Sequence, residues 1–169
     1  MDLGKPGNIW TGSFPGGQPM SAEVISFNNG VVSLKVNIQR ENIELKLLIT
    51  ENSISDFVYS MGNESKPFTL VKFDGKVGDT YRFFFGEHEV VRQIVETGHA
   101  YDVPCLGKKV EVIGVAEYIP YGLYPKINGY TARIIYWWIS PEYGLTCIEI
   151  DTDEGEFLYF KMDEIILVK

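Results

Sequence analysis

The sequence predicts an all-β protein: a single antiparallel, strongly curved sheet, an open half-barrel or barrel of roughly ten strands, with at most one or two short helices. Three observations carry this. Apolar and polar residues alternate with the period of a half-buried strand, as in Val32, Leu34, Val36 and Ile38 against Ser33, Lys35 and Asn37. Turn residues recur at intervals of roughly 8–12 residues, the spacing of consecutive antiparallel strands. The stretch from Tyr130 to Asp151 holds two of the three Trp residues and reads as two strands joined by Ser140-Pro141-Glu142-Tyr143-Gly144. Both faces of that hairpin are apolar, which places it at the centre of a sheet.

Taken in order, one domain spans 1–169, with residues 1–20 an irregular Gly- and Pro-rich lead-in pinned by Trp10 and Phe14. Strands over 21–27 and 31–38 flank Asn28-Asn29-Gly30. A type I′ turn at Asn29-Gly30 sets Phe27 opposite Val32 and Ile25 opposite Leu34, so turn and pattern agree on register. Ile43, Leu45, Leu47 and Ile49 alternate as a third strand. In Ser53 to Met61, a capping residue and apolar spacing at Ile54, Phe57, Val58 and Met61 predict a short helix ending at Gly62, with a strand as the alternative. Strands follow at 68–73, 80–85, 88–97 and 109–119, the middle pair around a Gly86-Glu87 turn.

Loop lengths set the register of the last three strands. With Ser140 to Gly144 as a five-residue loop and Thr152 to Gly155 as a four-residue loop, Trp137, Cys147 and Phe160 fall in one row. Ile139, Leu145 and Met162 fall in the next. These six residues form one candidate ligand face. Ile134, Ile150 and Phe157, with Tyr136, Ile148 and Tyr159, form the other face, taken as sealed. Tyr121 and Tyr124, in the loop from Pro120 to Gly129, join the candidate binding residues, because Tyr and Trp are enriched where proteins grip partners.

A net charge of −8 over 169 residues, with no cluster of Lys or Arg, argues against nucleic acid or an anionic membrane as partner. No apolar run approaches the roughly 20 residues of a membrane helix. Two cysteines, Cys105 and Cys147, are too few for a disulfide framework and the wrong pattern for zinc, so free buried thiols are expected, with a single bridge in an oxidising compartment as the alternative. Glu87-His88-Glu89 alternates across a strand and cannot converge unaided. His99 and Cys105 lack a visible orienting third group. Asp151-Thr152-Asp153-Glu154-Gly155-Glu156 begins like a calcium loop, but its Gly is fifth rather than sixth, and Met162 stands where the ligating Glu belongs. No nucleotide-binding, zinc-protease or nucleophile-elbow motif is present, and no metal or cofactor is implied.

Three segments carry a resemblance: Lys76 to Phe83 (KVGDTYRF), Tyr101 to Val112 (YDVPCLGKKVEV) and Tyr136 to Glu149 (YWWISPEYGLTCIE). In this order they resemble uncharacterised bacterial envelope proteins and lipoproteins with a LolA-like curved β-sheet. The resemblance covers Asp74 to the C-terminus. It implies a half-barrel, a bacterial cell-envelope location (a cytoplasmic one is the alternative), and no catalytic residues to transfer.

The expected function is therefore non-enzymatic: a domain holding a lipid, a lipoprotein acyl chain or a partner segment on its concave face. The alternatives are an interaction module whose concavity is filled by its own side chains, and an enzyme of unknown reaction using His99 or the acidic tip. An apolar cavity of about 300 Å³ or more beneath the Ser140 to Gly144 turn favours the carrier; a packed interior favours the module.

Overall fold

In a computed structural model the chain folds as twelve strands: β1 (Ile9–Phe14), β2 (Gln18–Asn28), β3 (Val31–Ile38), β4 (Glu41–Ile49), β5 (Ser53–Asp56), β6 (Phe68–Lys72), β7 (Thr80–Phe85), β8 (His88–Val103), β9 (Lys108–Tyr118), β10 (Ala132–Ser140), β11 (Gly144–Thr152) and β12 (Phe157–Ile166). The structure describes residues 3–14, 17–38, 41–120 and 129–168. The only helical element among them is one 3-10 turn, Pro104–Leu106, closed by Gly107 in the left-handed region.

All twelve strands form one antiparallel sheet in the order β6-β5-β4-β3-β2-β1-β12-β11-β10-β9-β8-β7. Two six-strand meanders are thus joined side by side at β1 and β12. The sheet curls until its two edges, β6 and β7, touch without a shared ladder, giving a nearly closed barrel. Because every pair is antiparallel, the turns β2–β3, β4–β5, β6–β7 and β10–β11 crowd one end, here called the first end. The turns β1–β2, β5–β6 and β11–β12 crowd the second.

Local chemistry explains the turns. Asn29 and Gly30 both have positive φ, 50° and 84°, as a type I′ turn requires, and Phe27 does face Val32. The expected Ile25 to Leu34 pairing does not form. A bulge between Val24 and Ser26 sets Val24 opposite Leu34, buries Val24 and turns Ile25 outward. At Ser140 to Gly144, the Ser140 hydroxyl accepts from the amides of Glu142 and Tyr143. Trp10 Nε1 donates to the Tyr143 carbonyl at 2.8 Å, and Lys108 Nζ donates to the Tyr143 hydroxyl at 2.5 Å. The turn is therefore tied to strands on both of its sides.

Two expectations are corrected. Residues 9–14 and 18–20 are not an irregular lead-in but parts of β1 and β2. Glycine in a strand commonly marks close backbone approach, and Gly12 is such a case: a Cβ there would lie 2.2 Å from the Lys161 carbonyl and 2.6 Å from the Phe160 ring. Residues 53–61 are not a helix. Ser53–Asp56 pairs with β4 and β6. Ile54 and Phe57 are buried while Val58 and Met61 are exposed, so the apparent helical stripe has no common face. Asp56 Oδ1 does accept from the Val58 amide, but it caps a turn.

The interior is filled by the chain. Val24, Val32, Val71, Ile94, Ile113, Val115, Ile139, Ile150 and Phe160 belong to one continuous core. A smaller second core lies outside it. Register shifts at Ile94/Glu96 and Glu96/His99 bend the far half of the β8–β9 hairpin. Val103, Val110 and Val112 of that arm pack with Tyr143 and Trp138, and the Tyr101 ring stacks on Trp138 at 5.9 Å.

Candidate functional site

The predicted ligand face is divided by register. Ile139 faces Leu145 as expected, but a shift between Trp138 and Ile139 then sets Trp138, not Trp137, opposite Cys147. Trp137 faces Ile148. Across the next pair Ile148 faces Phe160, and Cys147 faces Lys161 rather than Phe160. Two separate one-residue changes cause this: Thr146 is an extra residue in β11 beside the first turn, and Asp151 rather than Ile150 pairs with Phe157, so the next connection, 152–156, has five residues instead of four. Ile139, Phe160 and Met162 remain in the main core with Leu145 and Trp137 packed against it. Cys147 lies on the other face beside Tyr101, where burial pushes its thiol up to about 11. Cys105 is half-buried and, like Cys147, free. On the face taken as sealed, Phe157 and Tyr159 are in fact 50% and 44% exposed. Tyr121 and Tyr124 lie outside the described residues.

One cavity sits at the first end. It is an open cleft of about 600 Å³ lined by Leu3, Phe27, Ile49, Thr50, Glu51, Phe73 and Pro141. Pro141 belongs to the Ser140 to Gly144 turn, so the cleft adjoins the turn singled out in the sequence. It lies at the mouth, however, and the six residues of the predicted face do not line it. Phe27 projects there with 47% of its surface exposed, held by the type I′ turn of the β2–β3 hairpin. Four hydrophobic side chains and a proline form the wall, while Thr50 and Glu51 supply polar groups. Such a site can hold an apolar group and keep a polar end at the rim.

Near the second end lies a buried ionic cluster that the sequence reading missed. Arg92 on β8 pairs with Glu117 on β9 at 2.5 Å and with Asp56 at the end of β5 at 2.6 Å. Tyr59, in the β5–β6 connection, donates its hydroxyl to Glu117 at 2.6 Å. Arg92 Nη1 also donates to the Phe68 carbonyl at 3.2 Å, and its guanidinium lies 4.0 Å from the Phe68 ring centroid. Phe83 of β7 packs on Phe68 and Tyr59 at 5.4 and 6.1 Å. The two sheet edges are therefore joined by ions and rings where no backbone ladder runs. One signal was legible: Arg92 and Glu117 stand in apolar strands at positions whose neighbours two residues away face the core.

This cluster binds one cation to two carboxylates. Burial raises the Asp56 pKa more than Arg92 lowers it, while for Arg92 the two carboxylates outweigh burial and favour its charge. A carboxyl raised in the folded state stabilises fully below its unfolded pKa and loses that contribution as pH rises through the folded value. Asp56→Asn is accordingly expected to remove part of the fall in stability between the ordinary carboxylate pKa and the raised one. Urea unfolding of both proteins across mildly acidic pH measures the difference in slope. A steeper fall in the variant contradicts the assignment.

The other candidate groups stay apart. Glu87 and His88 are exposed at the β7–β8 turn, and Glu89 pairs with Arg82 at 2.8 Å. His99 Nδ1 meets Glu96 at 3.0 Å on the exposed part of the arm. The acidic tip is a hairpin turn: Thr152 exchanges hydrogen bonds with Glu156, and Asp153 Oδ1 accepts from the Thr131 amide. Among the described residues no group of three or more His, Cys, Asp or Glu is placed to hold a metal ion.

The fold defines a class, a single-sheet β-barrel-like domain, which solved structures share. One is a crystal structure from Bacteroides fragilis, assigned as an exported protein with a YmcC-like fold. It is 12% identical, covers 96% of this chain and 97% of its own, and superposes with a TM-score of 0.59. Another, from Parabacteroides distasonis, is assigned as a lipoprotein; it is 13% identical over 96% of each chain, with a TM-score of 0.57. At such identities the likeness is one of fold. At the level of fold it agrees with the expected likeness to bacterial envelope proteins and lipoproteins, without singling out LolA. No family model and no curated protein sequence matches the chain.

Proposed function

We propose that this domain is a non-enzymatic binding module of the bacterial cell envelope, which takes a lipid or protein-linked acyl chain at the open end of its barrel. The observation that carries this is the cleft of about 600 Å³ walled by Leu3, Phe27, Ile49, Phe73 and Pro141. Its volume lies within the range of about 300–1,000 Å³ typical of small-molecule sites. The likeness to proteins assigned as exported and as lipoproteins supports the location. The binding site moves from the concave face expected in the sequence to the mouth beside it.

A second reading, a module that binds no small ligand, is favoured by the filled interior, where Val32, Val71, Ile94 and Val115 have no exposed surface. Titration with a fluorescent long-chain fatty acid separates the two. Saturable binding by the native protein, weakened about tenfold or more by Phe27→Asp, is expected, since an ionised carboxylate is costly in an apolar site. Absence of binding, or equal binding by the variant, favours the second reading.

A further inference from the structure

Register places a second surface on the outside of the barrel, away from the cleft. Across β9, β10, β11 and β12, Tyr118, Ile134, Asp151 and Phe157 form one row. Ala116, Tyr136, Glu149 and Tyr159 form the next. Glu149 is thus bracketed by two tyrosines, and Asp151 by an isoleucine and a phenylalanine. Tyr118, Phe157 and Tyr159 stay well exposed, and the rings of Phe157 and Tyr159 lie 6.5 Å apart. Tyr136 is half-buried, and its phenol is pushed up by burial and then by Tyr118, Asp151 and Glu149, which shows how closely these groups share space. Glu149 and Asp151 are themselves half-buried, and neither forms an ion pair among the described residues. Asp153, Glu154 and Glu156 continue the negative charge around the β11–β12 turn.

We infer that this face binds an extended basic peptide segment of a partner protein, with lysine or arginine at alternate positions. Charge complementarity selects a cation, because neither carboxylate is ion-paired among the described residues, although Lys161, opposite Cys147, shares the face. Ring faces next to carboxylates favour an ammonium or guanidinium group over a neutral ligand. Spacing selects the extended form. Glu149 and Asp151 are two residues apart on one strand, so their Cα atoms stand roughly 6.6–6.8 Å apart, the repeat of same-face residues in an extended peptide. Its methylene stems would rest on Tyr136, Tyr159 and Phe157 while its charges reach the carboxylates.

The test is titration at low ionic strength with an acetylated, amidated peptide alternating lysine and serine, followed by tyrosine fluorescence and by amide shifts in NMR. We expect saturable binding with shifts confined to β9 through β12. Combining Glu149→Gln with Asp151→Asn should weaken it about tenfold or more, Tyr159→Ala should weaken it separately, and added salt should reverse it. The affected residues are surface groups, and circular dichroism verifies that the variants remain folded. Three results would overturn the inference: no binding by the native protein, equal binding by the double variant, or equally tight binding of the all-serine peptide or a neutral oligosaccharide. None depends on the outcome at the cleft.

Discussion

Arg92→Met is expected to destabilise the fold by about 3–5 kcal/mol, the usual effect of removing one partner from a buried ion pair. Arg92 and Glu117 are sealed from solvent, and Asp56 nearly so. Without the guanidinium, two carboxylates remain close together in the interior, and the carbonyl of Phe68 loses a donor. The damage should concentrate at the barrel seam, because β6 and β7 share no ladder to hold it shut. Denaturant unfolding measures the magnitude, and hydrogen exchange its location. Protection should fall first in β5, β6 and β7, ahead of β1 and β12. A loss below about 1 kcal/mol, as for an exposed pair, would contradict the role given to this cluster.

Phe160→Ala should cost about 3–5 kcal/mol, as expected for deleting a buried aromatic side chain. Its neighbour Tyr159→Ala should change stability by less than about 1 kcal/mol, because exposed positions tolerate truncation. Phe160 is 1% exposed and packs on Phe14 with ring centroids 5.0 Å apart; Tyr159 points to solvent. The contrast between adjacent residues is a direct reading of register, since a slip of one residue exchanges them. Comparable losses at both positions would mean that both faces of β12 are covered here.

Much of the fold was legible because alternation in this chain is strong. Val32, Leu34 and Val36 declared their inward face, and Asn29-Gly30 its turn type. The resemblance of the VGDTY, VPCLG and YWWISPEYGL segments pointed to bacterial envelope proteins and lipoproteins, and the solved structures agree with that at the level of fold. What was not legible followed from distant partners. Gly12 looked like loop punctuation because its reason, the backbone of β12, lies far away in sequence. Ile54 and Phe57 suggested a helix because the short strand β5 gains its partners from β4 and β6.

The candidate site was legible only by neighbourhood. Of the Ser140 to Gly144 turn, Pro141 alone lines the cleft; Phe27, Ile49 and Phe73 come from other turns at the same end. Only the topology shows that those turns meet. The one-residue shift beside Ile139 could not be read from loop length, because a bulge leaves no mark in an apolar strand. It set Trp138 opposite Cys147 and Tyr136 opposite Glu149, while a β11–β12 connection one residue longer than expected separated Cys147 from Phe160 and set Glu149 and Asp151 beside Tyr159 and Phe157. Together these two changes divide the expected concave face and assemble the outer surface.

Native mass spectrometry of the protein purified from its own host most directly tests whether the open barrel end carries a ligand. The account predicts one added mass of a lipid or acyl chain per protein, and its loss in Phe27→Asp while the protein stays folded. A bare polypeptide mass from the native host, together with no uptake of added fatty acid, would contradict it.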